Sequence, residues 1–547
     1  MEKLFNIAIR TSFWSRQRRS LSRSHTWLSG EATQSSAVQA PPPHGSRVVS
    51  IATLLRDHEA PVLGKKVEPS TGSKDVPDIV TVNGWIRSNR NMKKYSFLHV
   101  ADGTTSQPLQ AVIPKDQFGD TKALTTGTCI QITGEWKPSP GSKQNQQAKE
   151  LHYHSLKVLG TADPETYPIQ KKYHTPEFLR SMPHLRPRLP TQAALLQLRS
   201  WTTARITNFF LEREFIQVHP PIITSSDCEG AGEVFTQDHF FRSPKYLTVS
   251  SQLHLECFAH AVPKVWTLSP TFRAEKSDTN RHLSEFYMLE AEIAFTNSLE
   301  DVMFVVENMT RYLVSGLIES RIGKEITDIH ASRSPEEAAA DGEEVAAKGG
   351  LRARWESFLT PNRWTRMTYT QAVEHLSHAV AQGEVKFVFE PIWGNALQAE
   401  HEKFLARKFG GSGGVEGGPL FVTDYPTTLK PFYMLPTTLD GSDETVACFD
   451  LLLPHVGELV GGSLREHRYE HLVEKMRAFG LIPPPAEGAG MEEDLGGLKW
   501  YAELRKWGSV THGGFGMGYD RLLAYLAGIK DIREVVGFPR WRGRCDC

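Results

Sequence analysis

The chain has 547 residues, with 62 lysines and arginines against 63 aspartates and glutamates, so its formal net charge is only −1. This length allows about two to four domains, each with its own core. The charge balance excludes an argument for nucleic-acid binding from the field of the whole molecule. The six cysteines form neither a CxxC pair nor a disulfide framework. No apolar run approaches the roughly 18 residues that a membrane span needs, so we expect no membrane partner.

The first 30 residues are rich in arginine and serine and contain one acidic residue, Glu2. Apolar residues from Leu4 to Ile9 recur at helical spacing. This composition is typical of a mitochondrial transit peptide over residues 1–30, which predicts a location in the mitochondrial matrix. A disordered basic tail is the alternative.

Residues 31–77 are predicted to be a linker and N-terminal extension. From residue 78 to 160, short alternating segments separated by turn residues predict five strands of a small Greek-key barrel of the OB type. Such barrels bind single-stranded nucleic acid on one face. Residues 78–159 carry ten basic and six acidic side chains, which permits contact with RNA. Residues 161–190, with several prolines and histidines, are predicted to form a hinge connector.

Residues 191–547 are predicted to form one α+β domain that begins with an amphipathic helix. Two segments interrupt its pattern. Residues 331–356 are rich in alanine and glutamate, and residues 409–418 are rich in glycine. Because neither composition favours a buried face, we predict that both are surface insertions.

Four strings in this domain carry the chemistry. The second combines an arginine, a glutamate and an aromatic ring on two predicted strands, which suits a bound nucleotide: the guanidinium binds phosphate, the carboxylate binds an amine and the ring stacks on the base. The fourth predicts a glycine-rich strand that turns into a helix, whose N-terminus favours phosphate. A charged exposed hairpin is the alternative for the second. In chain order the strings are FIQVHPPIITSSDCEGAGEVF (Phe215–Phe235), FRAEKSDTNRHLSEFYMLEAE (Phe272–Glu292), CFDLLLPHVGELVGGSLREHRYE (Cys448–Glu470) and HGGFGMGYDRLLAYLAGIKDIREVVGFPR (His512–Arg540).

The first, second and fourth strings resemble motifs 1, 2 and 3 of the class II aminoacyl-tRNA synthetases, and all four resemble the asparaginyl branch of mitochondrial type. The resemblance covers Ile79 to Arg540. It implies an N-terminal OB-fold β-barrel followed by the class II synthetase antiparallel sheet flanked by helices, assembled as a homodimer. It also implies ATP-dependent attachment of asparagine to tRNA(Asn) through an asparaginyl-adenylate, for mitochondrial translation, with Mg²⁺ as cofactor. Three alternatives stay open: an aspartyl synthetase, an ATP-dependent asparagine synthetase on the same core, and a non-catalytic RNA-binding paralogue.

The resemblance assigns an ATP site. Arg273 at the α-phosphate and Arg521 at the γ-phosphate are the implied catalytic residues. Phe286 would stack on adenine, and Asp450 and Glu458 would share Mg²⁺ through hard oxygen atoms. The implied ATP-binding set is Arg273, Glu275, His282, Phe286, Asp450, Glu458, Gly516, Gly518 and Arg521.

The segment SQLHLECFAH (Ser251–His260) bears on the choice of amino acid. Aspartyl relatives have a lysine at the position of Leu255, which here is followed by Glu256. Glu256 would accept a hydrogen bond from the amide of asparagine, and Arg465 would donate to its oxygen. A carboxylate substrate would instead face an unpaired negative charge, at a cost on the order of several kcal/mol. The alternative is that Glu256 faces away on a helix. The implied amino-acid-binding set is Glu229 at the ammonium group, Ser251, Gln252, Glu256 and Arg465.

The resemblance also assigns the contacts with macromolecules. In the barrel, Phe97 would stack on an anticodon base, and Arg90 and Gln110 would contact base edges or phosphate. A core position for Phe97 and a solvated charge for Arg90 are the alternatives. Pro221 would lie at the dimer interface of motif 1, since proline suits an edge strand. Ala396, where the family usually has an acid, departs from the pattern.

Overall fold

The computed structural model describes residues 47–56, 78–118, 121–140, 147–225, 234–237, 240–276, 279–333, 350–411, 417–438, 444–483 and 495–547. The predicted transit peptide, most of the predicted linker and Glu229 lie outside the described residues. Within these ranges, no helix is both long enough and apolar enough to cross a membrane.

The N-terminal domain is a closed barrel, as the sequence predicted. Its elements are β1 (Arg47–Val48), helix α1 (Ile51–Arg56), β2 (Ile79–Asn91), β3 (Tyr95–Ala101), β4 (Leu109–Pro114), a 3-10 turn at Thr121–Ala123, β5 (Cys129–Pro138) and β6 (Lys149–Gly160). The strand order is β1-β2-β3-β4-β6-β5, and pairing of β2 with β5 closes the barrel. Alternate residues such as Leu98, Val100 and Ile132 are fully buried inside, as the two-residue period of strands requires.

Part of the predicted linker belongs to this barrel. Ile51 and Leu54 of α1 are buried in the barrel core. The first amides of the helix find acceptors in the barrel, because Ile51 N donates to Asp102 Oδ2 at 2.8 Å and Ala52 N donates to Thr104 Oγ1 at 3.1 Å. These bonds satisfy amides that a helix cannot satisfy internally. Residues 47–56 therefore belong to the barrel fold.

The second half of the connector is fixed to the C-terminal segment of the chain. It contains α2 (Pro176–Arg180) and a 3-10 turn at Arg186–Arg188. The fully buried Arg186 lies 3.3 Å from Glu534 Oε2 through Nη1, and Arg180 also pairs with Glu534. Because buried guanidiniums need such partners, this half of the connector packs on the large domain.

The large domain is built on an eight-stranded sheet. Its strands are β7 (Ile216–Gln217), β11 (Lys264–Phe272), β12 (Glu285–Ala294), β13 (Thr365–Thr368), β14 (Leu420–Pro426), β15 (Thr445–Leu453), β16 (Gly457–Leu464) and β17 (His512–Gly518); β8 (Ile223–Thr224), β9 (Thr236–Gln237) and β10 (Lys245–Leu247) form a small separate sheet. The order in the large sheet is β13-β14-β15-β16-β17-β12-β11-β7. The six central strands are antiparallel, as predicted, but β13 and β7 pair with their neighbours in parallel, so the sheet is mixed.

Helices cover both faces of this sheet. They are α3 (Pro190–Leu211), α4 (Gln252–Ala259), α5 (Leu299–Glu319), α6 (Arg321–Ala331), α7 (Gly350–Glu356), α8 (Tyr369–Ala381), α9 (Ala399–Phe409), α10 (Tyr469–Ala478), α11 (Lys499–Glu503) and α12 (Tyr519–Ala527), with 3-10 turns at Ser357–Leu359, Thr427–Leu429, Gly496–Leu498 and Ile532–Glu534. Phe421 and Phe449 pack in one core with α3, α5 and α12, whereas Val422 and Cys448 pack in the other with α8, α9 and α10. Adjacent strand residues thus face opposite cores.

Residues 334–349 and 412–416 of the two predicted surface insertions lie outside the described residues, and several of the residues that are described are buried. Residues 350–356 form α7, which buries Leu351 and Trp355 in the main core, and Trp355 Nε1 donates to the Leu526 carbonyl at 3.0 Å. The alanine- and glutamate-rich composition hid this short apolar stripe. In the second segment Gly410 and Gly418 are buried, and a Cβ on Gly410 would lie 2.1 Å from the Gly418 carbonyl oxygen. Glycine allows this close backbone approach.

We expect Gly134 of β5 to reject a side chain. A Cβ at Gly134 would lie 2.2 Å from the His152 carbonyl oxygen on β6, and backbone of a paired strand yields only at a cost. Gly134→Ala should lower the free energy of unfolding of the barrel by about 1–3 kcal/mol, measured by thermal and chemical denaturation.

Gly160→Ala on β6 is the matched control, because the nearest atom to its Cβ would lie 4.0 Å away. Equal unfolding midpoints for the two variants would contradict the steric explanation.

Candidate active site

Two adjoining cavities lie over the centre of the large sheet and are open to solvent. With that open space included, their volumes are about 620 and 840 Å³. Arg273, Met288, Glu458 and Gly516 line both of them, so the two cavities meet at these side chains. We call them the first and the second cavity.

Four central strands form the floor of the two cavities, and their register aligns four residues in one row. Asp450 of β15 pairs with Gly461 of β16, Gly461 with Gly516 of β17, and Gly516 with Glu290 of β12. One row across the sheet therefore reads acid, glycine, glycine, acid. The two glycines leave an open floor between two carboxylates, which larger side chains would fill.

The first cavity brings Arg273, Glu275, His282 and Phe286 together, as the sequence predicted. Arg273 follows β11, and its guanidinium lies 3.8 Å from Glu275 and 5.7 Å from the ring centroid of Phe286. Glu275 Oε2 in turn lies 3.3 Å from His282 Nε2. A cation, an acceptor and an aromatic ring thus converge as a bound nucleotide requires.

Arg521 enters the same cavity from the first turn of α12. Its Nη1 donates to the Glu458 carbonyl at 2.6 Å. The preceding Asp520 is buried, accepts from Tyr287 N at 2.8 Å and pairs with Arg199 of α3. These contacts fix the start of α12, so Arg521 is held at a helix N-terminus where phosphate is favoured. The predicted Gly516 and Gly518 also line this cavity.

Asp450 and Glu458 form a carboxylate pair on the hairpin of β15 and β16. A Cβ at Gly461 would lie 3.5 Å from Asp450 Oδ1 and 3.4 Å from Glu458 Oε1, so the missing side chain leaves room between them. Lys430 Nζ donates to both oxygens of Asp450, at 2.8 and 2.7 Å. Burial and the neighbouring Glu458 raise the pKa of Asp450, which Lys430 partly offsets. Burial also favours a higher pKa for Glu458. The charges of Arg521 and Lys430 outweigh this effect, so the pKa of Glu458 is lowered. Two carboxylates with hard oxygen donors, close to the arginines of the first cavity, fit a magnesium ion.

Arg465 lines the second cavity and is held by Glu292. Its Nε and Nη2 donate to the two oxygens of Glu292 at 3.1 and 3.0 Å, and its Nη1 donates to Ser463 Oγ at 2.7 Å. Burial raises the pKa of Glu292 to about 7, with Arg465 opposing and the nearby Glu256 adding to the rise. This bidentate pair fixes the plane of the guanidinium.

Glu256 lies beneath the second cavity. Its carboxylate is fully buried, accepts from Tyr501 at 2.9 Å and Arg505 at 2.5 Å, and lies 3.0 Å from His512 Nε2. Its other oxygen lies 3.9 Å from Arg465 Nε. Burial opposes ionisation, but Arg505 and His512 more than offset it, so the pKa of Glu256 is well below its usual range. Leu255 is one of the described residues that line the second cavity, whereas its neighbour Glu256 is not.

The cluster of Glu256, Glu292 and His512 also has the spacing of a metal site, with one ligand atom from each within 4.8 Å of the others. The guanidiniums of Arg465 and Arg505 already bind these carboxylates. Because they supply the positive charge, a metal cation would be repelled there.

Ser251 and Gln252 occupy different positions. Gln252 lines the second cavity, and its Nε2 donates to Glu256 Oε1 at 3.1 Å. Ser251 is buried, and its backbone N–H donates to the carboxylate of Glu290 at 3.0 Å, whereas its neighbour Ser250 lines the cavity.

Sequence reasoning missed four groups. Glu290 and Glu292 are two residues apart within the otherwise apolar strand β12. Two acids at this spacing in an apolar strand lie on the same face, and this pattern could have identified them. Arg505 and Tyr501 carry no such signal, because they reach Glu256 only through the fold.

The three predicted anticodon contacts share one face of the barrel. Arg90 of β2 pairs directly with Phe97 of β3, and His99, two residues further, pairs with Gln110 of β4. Arg90 is exposed and Phe97 is half-buried, so neither is a core residue. Gln110 Nε2 donates to Glu150 Oε2 at 2.7 Å.

Pro221, the predicted dimer contact, is exposed beside Ile222 and Ile223, which are 39% and 46% exposed. This is an unusual concentration of apolar surface.

Glu292 should make stability depend on pH. With a folded pKa of about 7 against an ordinary value of 4.5, the folded chain keeps a proton that the unfolded chain has released between these values. The free energy of unfolding therefore falls as pH rises through this window. Between pH 4.5 and 8 the wild type should lose on the order of 3 kcal/mol relative to Glu292→Gln, measured by chemical denaturation. Parallel stability profiles of the two proteins would contradict the assignment.

The comparisons with known proteins agree with this geometry. Residues 175–542 match the family of class II tRNA synthetases (D, K and N), and residues 80–159 match the OB-fold nucleic acid binding domain. The chain is 42% identical to the asparagine–tRNA ligase of Desulfotalea psychrophila, over 87% of this chain and 98% of the relative. It is 41% identical to the mitochondrial asparagine–tRNA ligase of Saccharomyces cerevisiae, over 85% and 92%. The asparaginyl-tRNA synthetase of Pyrococcus horikoshii, complexed with asparaginyl-adenylate, is similar with a TM-score of 0.70 at 29% identity, over 86% of this chain and 96% of that one. The chain therefore belongs to the asparaginyl-tRNA synthetase family of the class II tRNA synthetases.

Proposed function

We propose that this chain charges tRNA(Asn) for mitochondrial translation, in two steps at the adjoining cavities. It is an asparagine–tRNA ligase that uses ATP as a substrate. In the first step the carboxylate of asparagine attacks the α-phosphorus of ATP, which forms asparaginyl-adenylate and releases pyrophosphate. In the second step the terminal ribose hydroxyl of the tRNA takes the asparaginyl group and AMP leaves.

In this proposal the first cavity binds ATP. Arg273 lies where the two cavities meet, so it contacts the α-phosphate between the nucleotide and the amino acid. Phe286 stacks on the adenine, and Arg521 holds the terminal phosphate at the start of α12. Positioning and charge stabilisation carry this reaction, so no side-chain nucleophile is needed.

Asp450 and Glu458 are the residues that would hold Mg²⁺. When bound, the ion would neutralise phosphate oxygens and so favour departure of pyrophosphate. Lys430, which now pairs with Asp450 at 2.7 Å, supplies a positive charge at the same carboxylate.

The choice of asparagine rests on one observation, the approach of Glu256 to Arg465 at 3.9 Å beneath the second cavity. We infer that the oxygen of the substrate amide accepts from Arg465, which lines the cavity. Glu256 is fully buried outside the cavity lining, so it acts on the substrate through Arg465 and Gln252 rather than by direct contact. Because the low pKa of Glu256 keeps it ionised, an aspartate side chain would approach a fixed negative charge. Leu255, which lines the cavity where aspartyl relatives have a lysine, adds no compensating cation.

The remaining partners follow from the two exposed surfaces. The barrel face of Arg90, Phe97 and Gln110 would bind the anticodon of tRNA(Asn), since stacking on an exposed ring and nearby polar groups suit unpaired bases. The apolar surface around Pro221 would pair with a second copy as a homodimer. The arginine- and serine-rich N-terminus and the mitochondrial relative in yeast support a mitochondrial location.

Arg273→Ala should lower the rate of ATP–pyrophosphate exchange with asparagine by at least about 100-fold, because it removes a preorganised charge at the reacting phosphate. Arg363→Ala is the control, since that side chain is 67% exposed and pairs only at the surface. Near-normal exchange in Arg273→Ala would refute the role of Arg273.

Amino-acid selectivity tests the role of Glu256. We expect the wild type to exchange pyrophosphate with asparagine and not with aspartate, without tRNA. Glu256→Gln should lower kcat/KM for asparagine by at least about tenfold, because the charge that orients Arg465 and Gln252 is lost, and should raise the ratio of aspartate to asparagine exchange.

Tyr501→Phe is the matched control for Glu256→Gln, because it removes one hydrogen bond to Glu256 and keeps the negative charge. Its selectivity should remain that of the wild type. Exchange of the wild type with aspartate would instead favour an aspartyl enzyme, and exchange with neither would favour a non-catalytic paralogue.

A further inference from the structure

Helix α9 lies beside the first cavity and carries a carboxylate, that of Glu402, which is largely buried. Glu402 projects from it toward the turn between β15 and β16, with only 14% of its side chain exposed. It is not among the described residues that line either cavity. Its role must therefore be exerted through its neighbours.

The first neighbour is the backbone of Glu458. Glu458 N donates to Glu402 Oε2 at 3.1 Å, close to the start of β16. The preceding Gly457 has a φ of +81°, and a Cβ there would lie 2.3 Å from the same oxygen. The chain thus uses glycine at a left-handed position to make room for Glu402.

The second neighbour is Arg281, which lines the first cavity. Its Nη2 lies 3.7 Å from Glu402 Oε2. Arg281 comes from the connection between β11 and β12, whereas Glu458 lies on β16. One carboxylate oxygen of Glu402 therefore contacts two segments, far apart in the chain, that both line the first cavity.

Electrostatics explains why such a contact is needed. Arg273, Arg281 and Arg521 all line the first cavity, and like charges at this spacing repel. Glu275 and Glu458 offset part of this positive charge from within the cavity. Glu402 attracts Arg281 from outside the cavity lining, so it leaves free the space that phosphate would take.

We propose that Glu402 is a positioning residue for adenylate formation, which holds Arg281 and the Glu458 backbone in the arrangement that ATP binds. The proposal rests on the assignment of the first cavity to ATP. Glu402 touches no reacting atom in this scheme. Its loss should change ATP affinity first and the rate of the chemical step second.

Two variants separate its two contacts. Glu402→Gln keeps an oxygen that accepts from Glu458 N but loses the charge that attracts Arg281. Glu402→Ala loses both. Glu400→Gln is the matched control, because Glu400 lies on the same helix and accepts from Val388 N and Phe389 N, at 3.0 and 2.8 Å, away from the cavity.

The dissociation constant of magnesium-ATP is measured by calorimetry, and kcat and the KM for ATP by pyrophosphate exchange. Measurements are made at pH 8, where carboxylates at the protein surface and in the unfolded chain are ionised. We expect Glu402→Gln to weaken ATP binding about tenfold with little change in kcat. Glu402→Ala should weaken binding at least as much and also lower kcat about tenfold. Glu400→Gln should match the wild type.

Wild-type ATP affinity in both Glu402 variants, with only a lowered unfolding midpoint, would overturn the proposal and leave a structural role. Failure of the wild type to exchange pyrophosphate with asparagine would refute the proposed function instead. The calorimetric comparison would still decide the role of Glu402, because it requires no amino acid.

Discussion

The site depends on one constraint: guanidinium groups buried over the sheet must be paired with carboxylates before any substrate arrives. Arg465 is held by Glu292, and Arg505 by Glu256, with side chains that are at most 3% exposed. Removing one partner of such a pair leaves an uncompensated buried charge, which costs about 3–5 kcal/mol. The same pairs set the orientation of the groups that a substrate would meet. Stability and preorganisation therefore depend on the same contacts.

The sheet makes this concentration of charge possible. Asp450 and Glu290 stand at opposite ends of one row of paired residues, with Gly461 and Gly516 between them. Antiparallel register fixes such rows, since a shift by one residue would turn every side chain to the other face. The two glycines lower the floor without introducing a polar group that needs a partner. Charged groups thus surround an open space whose base is backbone, and the space suits a ligand that brings its own charges.

The sequence predicted what is local and could not predict what the fold brings together. Strand alternation was sufficient for the barrel. The motif strings assigned Arg273, Phe286 and Arg521 to one ligand, and all three line the first cavity. The surroundings of Glu256 were beyond reach, because its partner Arg505 lies 249 positions away in the chain. The same limit explains Trp355, whose burial depends on packing against a helix far along the chain rather than on its own polar segment.

In the proposed function, the substrate charges meet groups that internal partners already hold in place. Lys430 pairs with Asp450 beside the proposed metal site, and Glu402 attracts Arg281 from outside the cavity lining. Groups held in this way need little reorganisation when a ligand of opposite charge binds, and they disfavour a ligand of the same sign. At Glu256 the anion is held by donors from Gln252, Tyr501 and Arg505 and does not leave, so a carboxylate cannot replace it. A pocket of this kind discriminates by charge at fixed shape, which is what separates asparagine from the nearly isosteric aspartate.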